Sequence, residues 1–138
     1  MTAEVQYLDE EPNGLAAMIG GLIEANLAAH PEREKLLRPR AAIGIIAADA
    51  GVALTLRLAP GRVSVGNGLS GKPQVVIRAT SETLTELSSV PLRFGFPDAM
   101  TPEGRTATRK LFRGELKVKG LALHPGIVSR LNRLLSVA

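Results

Sequence analysis

The sequence contains no cysteine and no tryptophan, and only one tyrosine and three phenylalanines. Without cysteine there are no disulfides, no thiolate metal ligands and no thiol nucleophile, a usage that fits a reducing cytoplasmic setting. With so few aromatics the core must be built from Leu, Ile, Val and Ala. The stacking platforms that bind single-stranded nucleic acid are missing too, so no specific nucleic-acid partner is expected. Long apolar runs are also absent. The stretch from Ala41 to Ala48 falls far short of the roughly 20 residues a membrane helix needs. Residues Met1 to Glu11 are acidic and do not open on a positive charge followed by an apolar stretch, so they do not read as a signal peptide.

What is present suits one folded domain. The chain has 138 residues, of which 45% are hydrophobic. That length can bury about two-thirds of the unfolded surface, and that apolar fraction argues against disorder. The net charge of +4 is unevenly placed. Glu4, Asp9, Glu10 and Glu11 make the start acidic. Arg105, Arg109, Lys110, Arg113, Lys117, Lys119, Arg130 and Arg133 make the end basic, which would permit transient contact with an anionic membrane surface.

Periodicity divides the chain into elements. Residues 1–12 read as a loose arm and 13–138 as the domain. Asn13 is placed to cap a helix in which Leu15, Met18, Ile19, Leu22, Ile23 and Leu27 recur at three- and four-residue spacing. Gly20 and Gly21 interrupt that stripe and mark a place where another backbone or side chain comes close. A short second helix is expected between Pro31 and Arg38. From Ala41 the period changes to that of strands. Ala41–Ala48 is apolar on both faces, and Val52, Leu54, Leu56 and Leu58 alternate with smaller or polar residues. Val63 and Val65 continue the alternation, as do Val75, Ile77 and Ala79. The short turns between these runs suggest a four-strand antiparallel meander. Thr80 or Ser81 can cap a further helix. Leu116 and Val118 alternate with Glu115, Lys117 and Lys119 in the last strand. Ile127, Val128, Leu131, Leu134 and Leu135 stripe a closing helix.

The motifs that resemble catalytic chemistry fail on context. Gly66-Asn67-Gly68-Leu69-Ser70-Gly71 matches the dinucleotide fingerprint, but Lys72-Pro73 and another strand follow where a phosphate-binding helix N-terminus is required. His30 and His124 both directly precede proline and lack the neighbouring ligands of a zinc site; they read as helix-end residues. No segment resembles a nucleophile elbow. Glu10-Glu11 and Glu32/Glu34 are surface carboxylates rather than the buried, pKa-split pair that acid–base catalysis needs. Phe94, Phe96, Met100 and Phe112 fall in an irregular, proline-containing stretch, where they either fill a core gap or line an adaptable pocket.

Three segments together resemble the sterol carrier protein type 2 family. They are the hairpin Ile43–Leu58 with Gly61-Arg62-Val63-Ser64-Val65, the stretch Gln74 to Leu84, and Leu111-Phe112-Arg113-Gly114-Glu115-Leu116-Lys117-Val118-Lys119-Gly120 with the helix that follows. The resemblance spans about Gly14 to Leu135. It implies an α+β fold: a five-stranded, mostly antiparallel sheet covered on one face by helices, with an apolar tunnel between the layers. It further implies non-catalytic binding or transfer of a sterol, fatty acid, acyl-CoA or phospholipid, without cofactor or metal. Carried onto this chain, the tunnel would be lined by Leu54, Leu56, Val63, Val65, Ile77, Leu116 and Val118. Phe96, Met100, Phe112, Leu131 and Leu135 would close it from the helical side. The chain departs from the family in carrying Gln74 where an acidic residue is usual, and in a longer Val90–Thr108 segment. Two other readings stay open: a partner-binding module of the same fold with a filled core, and a small enzyme using His124 or Asp98.

Overall fold

The computed structural model describes residues 4–84, 92–93, 96–97, 116–120 and 123–135, with the side chains of 92, 93, 96, 97 and 116 left aside. Its centre is a six-stranded sheet in the order β1-β4-β3-β2-β5-β8. The strands are β1 (Glu4–Tyr7), β2 (Ala41–Ala47), β3 (Val52–Ala59), β4 (Arg62–Asn67), β5 (Val75–Ala79) and β8 (Leu116–Lys119). A separate two-residue pair joins β6 (Leu92–Arg93) to β7 (Phe96–Pro97). Among the described residues the helices are α1 (Gly14–Ala29) and α2 (Pro125–Leu135), with a 3-10 helix at Pro31–Leu37 and a helical turn at 81–84.

The α1 helix starts where its cap dictates. The Asn13 side-chain oxygen accepts from the Ala16 N–H at 2.8 Å, satisfying one of the free donors of the first turn. The same side chain donates to the Ala53 carbonyl at 2.9 Å, tying the helix start to the sheet. Leu15, Ile19, Ile23 and Leu27 form the buried stripe, whereas Met18 turns to solvent. The backbone crowding expected at the glycine pair is real at one of them. The Tyr7 ring lies against Gly20, leaving no room for a Cβ, while Gly21 is open. His30 ends α1, its N–H donating to the Asn26 carbonyl, and His124 precedes α2. Both histidines are therefore helix-end residues.

Three expectations are corrected. The sheet has six strands rather than five, because part of the segment read as a loose arm is an edge strand. Glu4–Tyr7 pairs parallel with Arg62–Val65, and its Val5 and Tyr7 pack on the core. The four central strands do not form a meander. β2–β3 and β3–β4 are antiparallel, but β5 pairs with β2, and in parallel. The chain reaches that position by a strap, 68–74, that crosses the sheet between β4 and β5. Gly68 and Gly71 take φ of 73° and 63° in it, conformations that side chains rarely tolerate. Thr55 anchors the strap, its hydroxyl donating to the Gly68 carbonyl at 2.8 Å and accepting from the Ser70 N–H at 3.0 Å. The glycine-rich stretch is thus a crossover, and a strand rather than a helix follows it.

Pairing register sorts side chains to the two faces of the sheet. One face carries apolar rows: Tyr7–Val65–Leu56–Ile43–Val75 and Leu54–Ile45–Ile77–Val118. The helices pack on it, α1 over β1, β3 and β4, and α2 against α1 and the 3-10 helix. The other face is polar and partly roofed by the strap, where Leu69 fills the space a Cβ on Gly44 would take.

Candidate functional site

The apolar face under the helices is the site that the strand periodicity points to. Because side chains alternate along a strand, the inward residues of neighbouring strands meet in rows. Leu54, Ile77 and Val118 share one row with Ile45; Leu56 and Val65 share the next with Ile43; Val63 lies in a third with Leu58 and Val5. Leu116 stands opposite Ala79 in the last row. Of the residues expected to line a tunnel, the structure brings these strand positions onto one face.

Their packing differs across the sheet. Leu54, Leu56, Val63 and Val65 are at most 1% exposed and belong to one core with Ile19 and Ile23 of α1. Leu131 of α2 joins that core fully buried, while Leu135 and Val118 are only partly buried against it. Ile77 is 6% exposed. Val118 and Leu135 are thus less completely enclosed than the expected tunnel residues beneath α1. Met100, Phe112 and Asp98 lie outside the described residues, as do Phe94, Arg105, Arg109, Lys110 and Arg113; Phe96 is described only as part of β7.

Buried polar groups are few and satisfied. Among the described residues the buried polar side chains are Asn26, Thr55 and Thr83, and no buried side-chain nitrogen or oxygen lacks a partner. Asn26 donates to the Leu134 carbonyl at 2.8 Å, which joins the last turn of α1 to the end of α2. No carboxylate, histidine or lysine of the described residues is buried in the core. No group of three or more His, Asp or Glu among them could hold a metal ion. His30 meets Glu32 at 3.4 Å on the surface.

Two titratable groups outside the site are displaced from their ordinary values. The Ser81 backbone N–H holds the Asp49 carboxyl below its usual range, assisted by the Ser81 hydroxyl. Burial pushes the Arg130 guanidinium down while it donates to the Pro39 carbonyl at 2.9 Å. Arg130 thereby fixes the chain just before β2. Each is tied by hydrogen bonds to another segment of the chain, Asp49 to Ser81 and Arg130 to Pro39, so both read as structural ties.

No described helix is long and apolar enough to cross a membrane. No family model matches the sequence, and no curated protein matches it either. Among solved structures, a chain described as a UbiJ-SCP2 ubiquinone synthesis protein superposes with a TM-score of 0.61 over 88% of this chain and 92% of that one, at 18% identity. At that identity the likeness speaks for the fold. The chain therefore has an α+β fold like that of the sterol carrier protein type 2 domain, as its strand and helix order implied.

Proposed function

We propose that this protein binds an apolar, lipid-like molecule between its sheet and helices, and that it does so without catalysis. The observation that carries this reading is the continuous aliphatic face of the sheet beneath the helices, in a fold like that of the sterol carrier protein type 2 domain. Aliphatic contact alone can hold a long chain, since each buried methylene contributes about 0.8 kcal/mol. We put the site at the β5–β8 side of that face, where Val118 is only half-buried and stands in register with Ile77. Sterol, fatty acid, acyl-CoA and phospholipid are all candidates by this chemistry. The cysteine-free sequence fits a cytoplasmic setting, and its basic end fits brief contact with an anionic membrane during loading.

One observation favours a second reading. Leu54, Leu56, Val63 and Val65 already pack on α1 with almost no exposure, as in a module whose core is filled and whose role is to bind a partner. A single experiment separates the two. Native mass spectrometry of the purified protein, with organic extraction, should find co-purified lipid, and a fluorescent fatty acid should bind and be displaced. Val118→Trp should reduce that binding while the protein stays folded. A protein free of lipid that also fails to take up the fluorescent probe would sink the lipid-binding reading.

A further inference from the structure

The sheet face turned away from the helices carries a cleft of about 520 Å³ whose lining includes Arg40, Arg57 and Arg62. Its construction follows from period two and register. Arg40 and Ala42 lead into and occupy β2; Arg57 stands opposite Ala42 on one side and opposite Ser64 of β4 on the other. Arg62 lies two residues before Ser64, hence on the same face. Gln74 enters from β5's side, its oxygen accepting from the Ala42 N–H at 3.0 Å. Three arginines, one just before β2 and one each from β3 and β4, therefore border one concavity with a hydroxyl and a carboxamide, over a floor that includes Ala42 and Ala59.

No carboxylate of the described residues neutralises them. None of Arg40, Arg57 and Arg62 has an ion-pair partner within 4.0 Å among the described residues, including Glu4, which stands in register with Arg62. Arg57 alone is anchored, donating to the Ser70 carbonyl of the strap at 3.1 Å, which leaves most of its five donors unused. Arginine presents a planar fork that matches tetrahedral oxyanions bidentately. Three such forks around one concavity repel each other unless an anion sits among them.

We propose that this cleft is a binding site for a phosphate or diphosphate group, distinct from the apolar layer on the opposite face. Its size suits a small ligand rather than a macromolecule. The phosphate is carried either by a soluble phosphate ester or by the headgroup of a lipid, and in both cases the recognising chemistry is the same. Arg57 is pre-positioned by the strap, Arg40 and Arg62 supply the flanking charge, and Ser64 and the free amide of Gln74 offer neutral donors.

The test uses the intact chain with inorganic pyrophosphate as one probe and dihexanoyl phosphatidic acid, below its micellar concentration, as the other. Binding is followed by calorimetry, and the site is located by the shifts of the Ser64 and Ala42 amide resonances. Saturable binding of either probe is expected, with Arg40→Gln and Arg62→Gln each weakening it by about fivefold or more, the change that loss of about 1 kcal/mol brings. Gln74→Glu is the sharpest variant, because its carboxylate keeps an acceptor for the Ala42 N–H while placing a negative charge in the cleft; it should abolish binding without loss of fold. Pyrophosphate binding identifies a soluble ester as sufficient, and binding of the phosphatidic acid alone assigns the site to lipid headgroups. Failure of both probes to saturate, or equal binding by the wild type and the Gln74→Glu protein, overturns the proposal. Neither result bears on lipid uptake at the apolar face, which is read separately by fatty-acid displacement.

Discussion

The two faces of the sheet use the same strands for opposite chemistry. Beneath the helices the rows are Leu, Ile and Val with almost no exposure; on the other side the same strands present Arg57, Arg62, Arg78, Lys117 and Lys119 to solvent. One residue of shift along a strand separates the two environments, so register decides everything about a side chain's fate. Stability should therefore reside on one face and recognition of charged groups on the other. Leu56 and Arg57 are consecutive in β3 and test this directly. Leu56→Ala removes a fully buried side chain from the row Val65–Leu56–Ile43, which should cost about 2–5 kcal/mol. Arg57→Ala removes an exposed group held by the strap carbonyl, and surface changes of that kind stay near about 0.5 kcal/mol. Urea unfolding of both variants gives the comparison, and similar midpoints would break the division of labour between the faces.

The polar face is not uniformly dispensable, because the strap lies on it. Gly44 occupies the outward position of β2, and the Leu69 methyl sits 2.7 Å from where a Cβ would stand. Pro73 and Val76 close the space at 3.5 Å. Gly44→Ala should therefore only push aside the exposed end of Leu69, leaving stability within about 1 kcal/mol of the wild type because alanine is also favoured over glycine inside a strand. Gly21 in α1 supplies the control, since a Cβ there meets nothing within 4 Å and alanine is a better helix former by about 1 kcal/mol. Gly21→Ala should stabilise the protein in the same urea titration. A Gly44→Ala protein much less stable than the wild type would show that Leu69 cannot move aside and that the strap is a rigid roof on the polar face.

Most of the inner face was legible in the sequence and little of the outer one. Period-two alternation from Val52 to Leu58 and from Val75 to Ala79 marks the inward residues before any pairing is known, and the α1 stripe follows from its three- and four-residue spacing. The fold class followed from the order of those elements. What the sequence hid was pairing between distant strands. Val5 and Tyr7 do alternate, but four residues inside an acidic segment carry too weak a signal to distinguish an edge strand from a loose arm. Gly20 held the complementary clue, an opening in a helix stripe that Tyr7 fills. The six-residue glycine match drew attention to nucleotide chemistry, while its physical role is to carry the strap across β3 and β2. The arginine cleft was invisible for the same reason. Arg40, Arg57 and Arg62 look unrelated along the chain, and only register sets them around one concavity.

The smallest effect is expected at the rim, where the faces meet. Asp49, in the turn between β2 and β3, accepts from the Ser81 N–H at 2.9 Å and from the Ser81 hydroxyl at 3.1 Å. Thr80 accepts from the Thr83 N–H at 3.2 Å in the same helical turn, so Asp49 supplements the local cap across the sheet's end. These donors favour the carboxylate and lower its folded-state pKa. A depressed carboxyl pKa contributes stability that is complete above the unfolded value, about 3.9, and is lost as pH falls through the folded one. Asp49→Asn keeps an oxygen acceptor for the Ser81 N–H and removes the titration. The melting temperature of the wild type should exceed that of the variant slightly at neutral pH, and the gap should close below about pH 4 as the wild-type carboxyl takes up its proton. Because Asp49 is exposed, the gap should also shrink with added salt. A gap that is unchanged from pH 7 to 3 would assign the role of Asp49 to geometry rather than charge, leaving the rim as neutral as the apolar face it borders.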